Sequence, residues 1–198
     1  MLAFKDLMGA LSVAIALFSY ALYVWKTFHA HARPHPLSWL IFGVLSGTGF
    51  LIQFDQGAGA GSWVMGVTAA VCLMLCLIGF RQGERNFPWY EWAFLAAAAI
   101  VFAFYLVSRQ PAPSAILASI VNVLGFGPTL TKAWARPHSD SSSTFMLNGL
   151  KFVPSLLAMD SVSVATCVLP ASLVVTNLAV ALIIVLRRQS ALARSRGG

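Results

Sequence analysis

The sequence predicts an all-α membrane protein with seven transmembrane helices, arranged as two parallel three-helix bundles joined by a linker helix. Three observations predict it. Hydrophobic residues make up 59% of the 198-residue chain and charged residues only 10%, against about 25% charged in a soluble domain. The apolar residues fall into seven runs of helical length. The basic residues lie between those runs with a strong bias to one side. A chain this apolar cannot cover its own surface in water, so a lipid bilayer is its expected solvent. In hydrocarbon every backbone N–H and C=O must find a partner within the protein, which leaves helices or a closed barrel. The runs are 16–22 residues long, whereas barrel strands alternate over about ten residues, so helices are expected.

Spanning a hydrocarbon core about 30 Å thick takes about 20 helical residues. The first run, Leu7–Phe28, follows Lys5 as a signal peptide would. It exceeds the roughly 7–15 apolar residues of a cleaved segment and ends in Tyr20, Tyr23 and Trp25, residue types that anchor helices at the interface. A retained helix is expected. Leu37–Phe54 follows the breaker Arg33-Pro34-His35-Pro36, and Ser62–Phe80 follows Gly57-Ala58-Gly59-Ala60-Gly61. That glycine run follows a helix rather than a strand, so it reads as a tight turn and not as a dinucleotide loop. Trp89–Ser108 is the linker span. Ala115–Trp134 follows Gln110-Pro111-Ala112-Pro113, and Arg136-Pro137-His138 ends it. Thr144–Met159 is the weakest span, short and interrupted by Asn148, Lys151 and Pro154; Val168–Leu186 is the last.

Charge tests the count. Seven spans put Lys26, Arg33, Arg81, Arg85, Lys132, Arg136, Arg187, Arg188, Arg194 and Arg196 on one side, and Lys5 and Arg109 on the other. Ten against two predicts a multi-pass protein of the cell membrane with its N-terminus outside and its C-terminus in the cytoplasm. Without the sixth span the basic tail would change sides. Orientation thus accounts for the net charge of +7, and no solvated basic domain is left to bind nucleic acid.

The two ends of the chain resemble each other. Lys26 precedes Arg33-Pro34-His35 as Lys132 precedes Arg136-Pro137-His138, and Asp55 closes span two as Asp160 closes span six. The offsets are 106, 103 and 105 residues. An odd number of spans separates the triplets, so they share one orientation, as in transporters whose repeats are related by an axis along the membrane normal. The expected organisation is a first bundle over 1–86, a linker helix over 87–110, a second bundle over 111–190 and a basic tail over 191–198.

This 3+1+3 plan resembles the PQ-loop superfamily, which includes the SWEET sugar transporters and the KDEL receptors. The local resemblance is strongest in Gly125-Phe126-Gly127-Pro128-Thr129-Leu130-Thr131-Lys132 followed by Arg136-Pro137-His138-Ser139. Pro128-Thr129 stands where that family has Pro-Gln, and the first repeat has Leu22-Tyr23 at the matching place. The resemblance therefore implies the superfamily, in a branch like uncharacterised bacterial members, rather than its sugar-transporting branch. It implies that Asn177, on the last helix of a triplet, contacts substrate at mid-membrane, with Thr68 at the matching position of the first triplet. It also implies that Pro128 is a hinge for alternating access. Pro154 and Pro170 are candidates for the same role, a static kink being the alternative for all three.

Other polar residues within spans are candidates because such groups are costly in lipid. Asn122 and Asn148 either contact solute or join helices. Trp39, like Trp63, either stacks on a ring or sits in the aromatic belt. Lys151 either snorkels to the interface or lines the pathway and attracts an anionic solute. Asp55 and Asp160 either form an outer gate or proton site or are solvated helix ends. His29, His31 and His35, with His138 in the matching loop, have no nearby cysteine or carboxylate in sequence, so loop solvation is expected rather than a metal site. Cys72 and Cys76 lie one turn apart, too far for a disulfide. No nucleophile–base pair, paired catalytic carboxylates or phosphate loop stands out, and no enzyme or cofactor is expected. The expected partners are the bilayer and a small-molecule solute; homo-oligomerisation stays open. The expected function is movement of a small polar solute by alternating access between the two bundles, with a non-transporting receptor or scaffold as the alternative.

Overall fold

The computed structural model describes residues 2–29, 35–81, 87–137 and 141–196, with the backbone alone at 2, 26–28, 128, 132 and 191–196. Every regular element among them is helical: α1 (Leu2–His29), α2 (Pro36–Asp55), a 3-10 turn (Gly59–Ser62), α3 (Trp63–Arg81), α4 (Trp89–Ser108), α5 (Pro111–Gly125), α6 (Gly127–Ala135), α7 (Ser142–Leu150), α8 (Phe152–Leu157) and α9 (Val164–Arg196). Six segments are long and apolar enough to cross a membrane: Ala3–Trp25, Pro36–Asp55, Gly59–Arg81, Trp89–Ser108, Pro111–Ala135 and Val164–Ser190. The expected sixth span, Thr144–Met159, is two short helices, α7 and α8, meeting at Lys151.

Proline explains where helices start and break. Pro36 and Pro111 open α2 and α5, where the ring fixes a helical φ and the missing N–H costs nothing. Inside a span the same residue removes a hydrogen bond to the carbonyl four positions back. The fifth span is interrupted at Phe126, just before Pro128, and the sixth at Lys151, just before Pro154. Pro170 lies within α9 without ending it. The carbonyl it leaves unpaired, on Thr166, accepts a 2.9 Å hydrogen bond from Gln53 Nε2 of α2.

In packing, α3 lies against both α1 and α2, whose backbones stay apart among the described residues and which meet through Tyr20, Tyr23 and Trp39. In the same way α9 lies against both α5 and α7. α4 packs on α2 and α5, while α1 meets α7 and α8, and α2 meets α5 and α9. The buried face of α1 is a stripe of small and polar residues, Gly9, Ser12, Ala16, Ser19 and Tyr20, at helical spacing. Small residues at such positions let helices approach closely where lipid offers no hydrophobic drive for association. Large apolar side chains cover the outside, among them Leu17, Phe18, Leu77, Ile100, Val107, Leu124 and Val175. Trp25, Trp89 and Trp134 are exposed near helix ends.

Candidate functional site

A cavity of about 620 Å³ lies between the helix groups. Its walls include Tyr20 and Tyr23 of α1, Trp39 and Phe42 of α2, Thr68 and Cys72 of α3, and Glu91 and Phe94 of α4. Asn122 of α5, Thr129 of α6, Asn148 of α7, Phe152 of α8 and Asn177 of α9 complete them, with Lys151 at the α7–α8 break. The cavity runs from the middle of the bundle to the end that carries His35, Glu91 and Thr144. At that end His35 Nδ1 lies 3.4 Å from Glu91 Oε2, and Phe42 and Phe126 approach each other at 5.8 Å.

The opposite end is sealed by contacts between residues far apart in the chain. Gln53 Nε2 donates to Thr166 O, Asp160 N donates to Ala58 O at 3.1 Å, and Ser155 Oγ donates to Gly61 O at 2.8 Å. Lys5 Nζ reaches Asp160 Oδ1 at 3.0 Å. Nearer mid-bundle, Ser12 Oγ of α1 donates to Lys151 O. The glycine run does more than turn the chain. Gly59 has φ +59°, a conformation that a side chain disfavours, and faces the Asp160 carboxylate. A methyl on Gly61 would lie 2.5 Å from Met159 Cγ and 2.9 Å from Ser155 O. The 3-10 turn is therefore wedged against α8 and the loop after it.

The cavity brings together Asn177, Thr68, Asn122, Asn148, Trp39 and Lys151. Their hydrogen bonds separate them. Asn148 Oδ1 accepts from Ser19 Oγ of α1 at 3.3 Å, so it joins α7 to α1. Asn177 Nδ2 donates to Leu173 O of its own helix at 2.9 Å. Asn122 Nδ2 reaches Ser172 and Thr176 of α9 at 3.3 and 3.5 Å, while its Oδ1, fully buried, has no hydrogen-bond partner. Thr68 Oγ1 of α3, on the same cavity, is likewise buried without a hydrogen-bond partner. Trp39 packs edge-on against Tyr23, with ring centroids 5.0 Å apart, whereas Trp63 is exposed at the other end of the bundle.

Lys151 does not snorkel. It is 2% exposed, and its Nζ donates to Tyr20 Oη at 2.7 Å. The α7–α8 break holds its backbone in mid-bundle, too deep for its stem to reach the surface. The sequence reading took Tyr20 for an interfacial anchor. It is buried because α1 continues to His29, leaving Tyr20 more than two turns inside the helix. The Ser12–Ser19–Tyr20 face of α1 was the signal that could have found it. Glu91 had no such signal beyond being an acid in the first turn of a span.

Asp55 and Asp160 lie at the sealed end without touching each other. Tyr105 Oη donates to Asp55 Oδ2 at 2.5 Å, and Arg109 Nη1 lies 3.8 Å from the same oxygen. Asp55 therefore fastens α2 to α4, and Asp160 fastens the α8–α9 loop to α1. Lys5 and Arg109, the two basic residues on the minority side, each have an aspartate. Pro154 and Pro170 are buried outside the cavity wall, and the side chain of Pro128 lies outside the described residues. So do His31 and His138. His29 stacks on Trp25, and among the described residues no three His, Cys, Asp or Glu side chains gather as metal ligands would. Comparison with family models, with curated proteins and with solved structures returned no match.

Proposed function

We propose that this protein is a PQ-loop-like transporter of the cell membrane. It moves a small polar solute by alternating access between two three-helix repeats, 1–86 and 111–190, with α4 as the linker. Its N-terminus is outside and its C-terminus cytoplasmic. The observation that carries the reading is a largely apolar cavity with a few polar side chains, walled by both repeats, reaching one end of the bundle and sealed at the other. A purely structural scaffold needs no such cavity. The matching packing supports the repeat: in each triplet the third helix lies between the first two. The charge bias of the sequence assigns the end that carries His35 to the cytoplasm, and on that reading the conformation is inward-facing. The two breaks, at Phe126 beside Pro128 and at Lys151 ahead of Pro154, both lie in the second repeat, which makes that repeat the one that bends.

The test is uptake into proteoliposomes with a panel of small polar solutes, on the wild type and on Asn122→Ala. At least one solute should cross with saturation, and the variant should lower its apparent affinity. Absence of any saturable flux across the panel, with the protein folded and inserted, contradicts transport.

A further inference from the structure

Transport of a neutral polar solute makes no use of a buried lysine, yet the cavity contains one. Lys151 Nζ has two acceptors, Tyr20 Oη at 2.7 Å and Asn148 Oδ1 at 3.4 Å, and both are neutral. The rings of Tyr20 and Phe152 lie 4.3 and 5.0 Å from Nζ, close enough for cation–π contact with an ammonium. No carboxylate among the described residues pairs with it. Asp55 is held by Tyr105 and Arg109 and Asp160 by Lys5, Glu91 lies 3.4 Å from His35 at the cavity mouth, and Asp6 is exposed near the start of α1. A lone ammonium inside a membrane protein is costly, and residues of this kind mark solute pathways. Holding α1 to α7 would need only a neutral donor.

We propose that the cavity receives a solute bearing a single carboxylate, with Lys151 as its counter-charge. This rests on the transport reading of the same cavity. One ammonium balances one negative charge; a doubly charged phosphate ester would leave a charge uncompensated in low dielectric. The rest of the wall sets the body of the solute. Trp39, Phe42, Phe94 and Phe126 offer an aromatic lining, and Asn122 Oδ1 is an acceptor awaiting a donor. A monocarboxylate with an apolar or aromatic body and one hydroxyl or N–H group fits all three features. The cavity volume of about 620 Å³ is within the range of small-ligand sites, about 300–1,000 Å³.

The experiment is calorimetric titration of the purified full chain with aromatic and aliphatic monocarboxylates, each paired with its own primary amide, 4-hydroxybenzoate against 4-hydroxybenzamide among them. The wild type should prefer the best acid over its amide by at least about thirtyfold, the scale of a buried charge pair that loses one partner. Lys151→Met should lose that preference while still binding the amide. The wild-type comparison decides the matter even where the variant fails to fold. Equal binding of acid and amide, no binding of any acid, or a preference that survives in folded Lys151→Met overturns the proposal. The transport reading is judged separately by flux. Acids that bind with this preference but never cross leave the Lys151 site standing and remove transport; neutral solutes that cross without an acid preference do the reverse.

Discussion

Pro170 takes one donor from the backbone of α9, and Gln53 on α2 supplies the replacement. A typical hydrogen bond between membrane helices contributes only about 0.6 kcal/mol, because a broken one usually finds another partner. Thr166 O has no N–H four residues on to fall back upon, so the loss should be larger. Gln53→Ala is expected to destabilise by about 1–2 kcal/mol, read as a lowered thermal midpoint in detergent; an unchanged midpoint would mean the bond is not made. The three cavity asparagines should also differ. Asn148→Ala removes an acceptor for both Ser19 and Lys151 and should lower stability. Asn122→Ala removes a free acceptor and should weaken solute affinity about tenfold with a smaller effect on stability. A stability loss that ranks Asn122 above Asn148 would reverse the assignment.

At the scale of elements, the wedge formed by the 3-10 turn holds the sealed end. Its smallest perturbation is Gly61→Ala, whose methyl must displace Met159 or the backbone at Ser155. Overpacking of this kind costs about 1–3 kcal/mol. Because the strain falls only on the sealed conformation, the variant should also raise the reactivity of a thiol placed beneath the wedge. Labelling that stays at the wild-type rate, with full thermal stability, would show the wedge to be loose. The element boundaries were largely legible in the sequence, since proline and glycine mark the breaks at Pro36, Gly57, Pro111 and Pro154. The sixth span carried its own division, with a lysine and a proline three residues apart. What the sequence did not show was which side of each helix faces inward. In a membrane helix the lipid face and the protein face are both apolar, so hydropathy does not distinguish them. That is why Tyr20 read as an anchor, and why Asn177, Asn122 and Asn148 looked alike until their partners were known.

For the whole molecule, the ion pairs follow the charge asymmetry of the chain. Lys5 and Arg109, which run against the orientation bias, are neutralised by Asp160 and Asp55 at the sealed end. Lys151, in mid-bundle, has no carboxylate partner among the described residues. Alternating access requires the sealed end and the cavity mouth to open in turn. The most direct test uses two reporters in a background with Cys72, Cys76 and Cys167 replaced: Thr144→Cys at the mouth and Thr166→Cys beneath the seal. Membrane-impermeant thiol reagents are applied from each side of oriented vesicles. With the seal intact, Thr144→Cys should react from the cytoplasmic side and Thr166→Cys should be inert. Weakening the seal with Lys5→Ala and Gln53→Ala should make Thr166→Cys reactive from the outside and slow Thr144→Cys. Reporters whose rates change independently, or not at all, would contradict it.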